Sequence, residues 1–322
     1  YWMNYVDLSK DPGYVAGKNR YSWGTRGTGE QQRIIVLSAI ALYNRAEINS
    51  WTEAIGYFEQ LKAPHVLPIL QWAKPSWAGD FILDRTRTED WRAVDYWALR
   101  ELESLALIEY NPELFALSLA RFNGYSRHDN YKNTTKKFAE KVLNDEIACN
   151  RDIPQLLQYD TILHNHSIED YGSGNHQPGS LWMHIFKELM QQGKMERNWL
   201  LEQCLLAQTK EWNANLRSFY RKLFLEMDPT EDELTALQQT IFSLYNATLS
   251  AVVNFAIDLT KKAFSHSAFD TKSFLEWSAS VAMRTDCKGG IKSLLLLWEK
   301  VAKQTPAYNK EVSHIAADVF MI

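Results

Sequence analysis

The chain has 322 residues, 46% of them hydrophobic and 23% charged, which is the composition of a folded globular protein and excludes a disordered one. Lys and Arg number 35 against 39 Asp and Glu; the resulting net charge of −4 counts mildly against a duplex-DNA binder. With no apolar run of 18 or more residues and no basic-then-apolar leader, neither a membrane span nor export is indicated.

Cys149, Cys204 and Cys287 lie far apart and form no CxxC, so free thiols and a reducing, cytoplasmic setting are expected. The chain opens on Tyr1 and ends on Phe320-Met321-Ile322 inside an apparent helix, the pattern of a fragment of a longer protein.

Residues 1–28 are rich in Trp, Tyr, Gly and Asn without any period and read as an irregular arm. A helical region is expected over 29–157. Its first helix spans about 29–47, led in by Gly24-Thr25-Arg26-Gly27-Thr28-Gly29. Ser50-Trp51-Thr52-Glu53 has the form of a capping box and starts a second helix to about Leu61. Pro64 begins a short helix that Pro75 closes. Thr88 or Asp90 is placed to cap a helix over about 90–108, and Pro112 sits in the first turn of another that runs to about Phe122. Short helices are expected at Thr134–Asp145 and Ile153–Leu157.

Residues 158–178 have no period and hold Gly172, Gly174, Pro178 and three histidines, a loop that either divides two subdomains or carries function. From Gly179 the pattern is regular, with helices expected at about 180–191, 197–210, 214–227, 230–246, 248–264, 271–283, 288–304 and 308–322. Leu216, Phe219, Tyr220, Leu223, Phe224 and Met227 form one apolar stripe, and Thr230-Glu231-Asp232-Glu233 is a capping box for the helix after it. Paired, the last six helices give hairpins starting near 214, 249 and 288, steps of 35 and 39 residues, within the range of about 34 to 47 known for two-helix repeats. The expected fold is all-α: an α-solenoid of stacked helical hairpins of HEAT/armadillo type, wound as a right-handed superhelix, with a less regular N-terminal half.

The run Trp182 … Gly193-Lys194-Met195-Glu196-Arg197-Asn198-Trp199-Leu200-Leu201, followed by Leu216 … Phe219-Tyr220 … Leu223-Phe224 … Asp228-Pro229, resembles an uncharacterised bacterial domain-of-unknown-function family with armadillo/HEAT-like repeats. Glu233-Leu234, Val252-Val253, Ala256 and Phe274-Leu275 extend it. The resemblance is good over about 180–322, thinner at 90–122 and poor at 1–30 and 123–178. It implies the helical-repeat fold and carries no catalytic residue.

Chemistry is sparse by comparison. His164, His166, Glu169 and His176 supply imidazole and carboxylate that together suit zinc or another first-row metal, with His184 following on the next helix. Their spacing matches no zinc motif, and a polar loop is the plainer reading. Gly24, Gly27 and Gly29 before a helix have the makings of a phosphate cradle, but lack the strand and the Gly-Lys-Ser/Thr ending of a P-loop. Seven of twelve Trp fall in residues 1–97; with Arg20, Arg26, Arg85, Arg87 and Arg92 they suit either an interface or core packing. Arg217, Arg221 and Lys222, joined by Lys261 and Lys262, outline a basic face, although Glu211, Glu226, Glu231, Asp232 and Glu233 lie nearby and favour a mixed solvated surface. No G-x-S-x-G occurs.

The expected function is a non-enzymatic scaffold for a protein or peptide partner, since stacked helical pairs present long curved surfaces. No cofactor is expected. The alternatives are a nucleic-acid-binding HEAT-repeat protein, of the kind seen in DNA-repair glycosylases, and a metal site in the 158–178 loop.

Overall fold

The computed structural model describes residues 38–49 (residue 39 apart), 66–87, 94–121, 131–166 and 179–320. Among these residues every regular element is a helix and no strand occurs. The all-α expectation therefore holds. The arm over 1–28 and the capping box at Ser50 lie outside the described residues.

The expected 29–47 run is broken: residues 38 and 40–42 are helical as expected, and after a gap a separate helix, α1 (Arg45–Asn49), begins. Tyr43 and Asn44 are not helical. The Asn44 side chain explains the break: its Oδ1 accepts from the backbone N–H of Ala46 (3.0 Å) and Glu47 (3.1 Å), capping a new start. Helix α2 (Val66–Ala73) ends as expected, with Lys74 in the left-handed region (φ +43°) just before Pro75. Helix α3 (Ala78–Arg87) has no counterpart in the sequence reading. Its Asp80, Asp84, Arg85 and Arg87 mask an apolar face of Phe81 and Ile82, and the buried Thr86 bonds back to Ile82 O (2.8 Å).

Helix α4 (Tyr96–Ser104) is shorter than the expected 90–108. Its cap is Asp95, which accepts from Trp97 N (2.9 Å); Thr88 and Asp90, the expected caps, are outside the described residues. Ala106, at φ +53°, ends the run before 108. Helix α5 (Pro112–Ala120) starts as expected, with Pro112 in the first turn and Asn111 Oδ1 accepting from Leu114 N (3.0 Å). Helix α6 (Tyr131–Leu143) is followed by a π-type turn at Ala148–Asp152 and the short α7 (Ile153–Leu156).

Beyond the 3-10 turn Leu163–Asn165, the helices fall close to the expected bounds: α8 (Ser180–Gln191), α9 (Arg197–Leu206), α10 (Ala214–Glu226), α11 (Glu231–Ala236), α12 (Gln238–Ser243), α13 (Ser250–Ala263), α14 (Thr271–Ala282), α15 (Lys288–Gln304) and α16 (Asn309–Phe320). One expected helix, 230–246, is split at Leu237 into α11 and α12, and its last turn is a 3-10 turn, Leu244–Asn246.

Two compact units result. One holds the described residues up to Arg121 together with 151–161; the other holds 131–150 and 162–320. In the first, α5 is the central element, with Leu114 through Ala120 all buried and α3, α4 and α7 packed on it. In the second, packing follows chain order from α9 onward: α12 lies on α13 and α14, α13 on α15, and α14 on α15 and α16. The stripe on α10 is the core it was expected to be. Leu216, Tyr220, Leu223 and Phe224 are fully buried, Phe219 and Met227 nearly so. Phe224 meets Phe255 of α13 edge-on at 5.7 Å, and further along Phe242 of α12 packs against Phe274 of α14. Trp298 of α15 is buried with its Nε1 donating to Ser278 Oγ of α14 (2.9 Å).

Candidate functional site

A polar cavity lies within the second unit, where the turn Leu163–Asn165 meets α8 and α10. Its volume is about 360 Å³, and His164, Asn165, Met183, Asn215, Ser218, Phe219 and Lys222 line it. No carboxylate is among these residues.

The backbone that shapes the cavity depends on Gly179. This residue precedes α8 at φ +86°, a conformation that L side chains rarely adopt. A Cβ there would come within 2.7 Å of the Phe219 ring. Glycine thus lets the start of α8 close on α10, and Leu181 N donates to His166 O (3.3 Å) to tie the turn to the helix. The opposite wall is the first turn of α10, capped by Asn213, whose Oδ1 accepts from Asn215 N (2.8 Å). The helical repeat then brings Asn215, Ser218 and Lys222 to one flank of α10 at three- and four-residue steps, while Leu216, Tyr220 and Leu223 face the core.

Of the four residues expected to bind a metal, His164 and His166 are described, whereas Glu169 and His176 lie outside the described residues. Nδ1 of His164 and Nε2 of His166 are both buried atoms. Burial, and then the neighbouring His164, push the His166 imidazole down to about 4, so it is neutral near pH 7. Among the described residues no three His, Cys, Asp or Glu side chains come together in a way that would hold a metal ion. His184 sits on α8 and does not line the cavity.

The other expected candidates disperse. Gly24, Gly27 and Gly29 are outside the described residues, as are Arg20, Arg26 and Arg92. Trp77 is buried and donates its Nε1 to Tyr43 O (2.9 Å), a packing role, whereas Trp72 is 73% exposed. Arg87 is engaged by Glu113 through two hydrogen bonds (2.7 and 2.5 Å), and Arg85 lies over the Phe81 ring. Of the basic face, Lys261 pairs with Asp258 at 2.9 Å, whereas Arg217, Arg221 and Lys222 enter no ion pair among the described residues. All three cysteines are buried free thiols, and burial pushes Cys204 well above the ordinary thiol range.

A second polar cluster, in the first unit, was not legible in the sequence. Asp152, fully buried, accepts from the Tyr96 hydroxyl (2.6 Å) and from Arg151 Nε (2.8 Å). Arg151 also grips Glu103 through both terminal nitrogens (2.6 and 2.9 Å) and lies 4.0 Å above the Tyr110 ring. Arg100 donates to the Tyr96 hydroxyl (3.0 Å). Every charge here has an opposite partner and the carboxylate has no exposed surface, so the cluster fixes α4 against the π-type turn.

The family model described as a domain of unknown function (DUF6493) matches residues 1–289, and the chain belongs to that family. The match starts at the first residue, so it takes in 1–30 and 123–178, where the resemblance read from the sequence is poor, and it stops inside α15. Comparison with curated proteins and with solved structures finds no match.

Proposed function

We propose that this member of the DUF6493 family is a non-enzymatic scaffold, an α-solenoid of HEAT-like hairpins that binds a protein or peptide partner along its surface. The observation that carries the reading is the order of packing from α9 to α16, in which helices lean on their neighbours along the chain and on the helix one further along. An array of that kind needs only neighbour contacts, so it can be extended, and its outward helix faces remain available over a long surface. Individual exposed side chains such as Leu225, Leu249 and Leu296 stand on successive parts of it.

Site-specific cross-linking tests the proposal. A photoreactive amino acid is placed at Leu225, Leu249 or Leu296, one at a time, in the cell that makes the protein. A scaffold gives a discrete protein adduct from a subset of positions, lost when excess unlabelled protein competes. Adducts that are absent at all three, or that form equally and without competition, would remove the support for a specific partner.

A further inference from the structure

Ten arginines lie among the described residues, and eight of them are engaged by a carboxylate, a carbonyl oxygen or an aromatic ring. Arg217 and Arg221 have no such side-chain partner among the described residues. They stand one turn apart on α10, so two like charges sit side by side where that spacing is unfavourable without an anion. Lys222 follows, also outside every ion pair of the described residues. The carboxylate one turn beyond it, Glu226, is taken by Lys187 of α8. Arg221 lies three residues from Ser218 and Lys222 four, which puts the hydroxyl between the two cations.

The cavity lies on the Lys222 side of this helix face. Its lining offers the Lys222 ammonium, the Asn215 and Asn165 amides, the Ser218 hydroxyl and the His164 imidazole, with Phe219 and Met183 as apolar walls. On the Arg217 side a smaller cavity of about 250 Å³ includes Glu211, which disfavours an anion there. We propose that the larger cavity binds a small organic phosphate. Lys222 holds the phosphate oxygens at the mouth, Ser218 and Asn215 donate to them, and the organic part enters between Phe219 and Met183, while Arg221, one residue back and outside the lining, adds positive charge beside it. A phosphate fits this donor set because the ammonium supplies a point charge and the hydroxyl and amide groups donate to the remaining oxygens, with no carboxylate in the lining to oppose them. The size of the cavity and the net charge of −4 favour a compact anion over a long polyanion. The inference does not rest on the scaffold reading.

Calorimetric titration and thermal melts of the full chain at low salt test it, with inorganic phosphate, pyrophosphate, a sugar phosphate and a nucleoside monophosphate as probes. A single-stranded oligonucleotide is run in parallel. At least one organic phosphate is expected to bind saturably and to raise the melting temperature. Lys222→Gln should weaken it by about tenfold or more, the loss of one charge-assisted contact, and Arg221→Gln, which removes a charge beside the lining, by less. Both positions are on the surface side of α10, so the unliganded melts should match the parent, and Lys303→Gln on α15 should bind as the parent does. Failure of every phosphate to bind saturably, or binding by Lys222→Gln as tight as the parent's, would overturn the proposal. Tighter, steeply salt-dependent binding of the oligonucleotide through the same residues would replace it with a nucleic-acid surface.

Discussion

A single hydrogen atom at Gly179 decides whether α8 can close on α10. Replacing it with methyl brings Cβ to 2.7 Å from a Phe219 ring carbon at a backbone φ of +86°, so steric and conformational costs add. Gly193 also has a positive φ, +67°, but nothing lies within 4 Å of its would-be Cβ. Gly179→Ala should therefore lose about 2–4 kcal/mol in urea denaturation and Gly193→Ala about 1 kcal/mol. Equal losses would show that conformation alone matters at Gly179. Nearby, His166 couples folding to pH. Its imidazole titrates at about 4 in the folded chain against an ordinary value of 6.5, so the unfolded chain binds the extra proton between those values. The stabilisation is complete above about pH 6.5 and is lost as pH falls toward 4. His166→Gln, which cannot take up the proton, should flatten the stability curve between pH 4 and 6.5 relative to the parent. A slope unchanged by the substitution would mean that other groups produce it.

Helices in this chain were readable wherever an apolar stripe and a terminal signal agreed, as with the Thr230 box and the α10 stripe. The Thr230 hydroxyl accepts from Glu233 N (3.2 Å) and the Glu233 carboxylate accepts from Thr230 N (2.9 Å), so the box expected from four letters is formed at both ends. The letters could not show that Arg197, far back on α9, would bind the same Glu233 (2.6 Å) and, with Thr230, hold its carboxyl below the usual range. Thr230→Ala should cost about 1 kcal/mol in chemical denaturation, and Thr230→Ser should restore most of it. If serine fails to rescue, the cap is not the source of the stabilisation. Where tertiary contacts set the outcome, sequence periodicity failed. The regular pattern over 230–246 hid the break at Leu237, and charges along α3 hid its buried face. The Asp152 cluster joins residues 56 positions apart, which no local spacing reveals. The cavity was half legible, since His164 and Lys222 were each singled out, but in different hypotheses. Only the fold brings the turn and the α10 flank together.

For the molecule as a whole, the question is how far a local injury spreads. Leu223 is fully buried on α10, among the helices that pack in chain order. Leu223→Ala removes three heavy atoms from that interior and should cost about 2–5 kcal/mol, depending on how well the site collapses. In an array held by neighbour contacts, stability is close to a sum of terms for each unit and each interface. The loss should then appear first as faster amide hydrogen exchange in α10, in α9 and in α13, which Phe224 touches through Phe255. Exchange in α15 and α16, which pack mainly on each other and on α13 and α14, should change little under native conditions. A single cooperative globule behaves differently, because opening any part exposes all of it. Its slowest amides would accelerate together, in α15 as much as in α10. Exchange monitored by mass spectrometry on the parent and the variant therefore separates the two architectures. Uniform acceleration would leave the chain all-helical but remove the modular energetics on which the scaffold proposal depends.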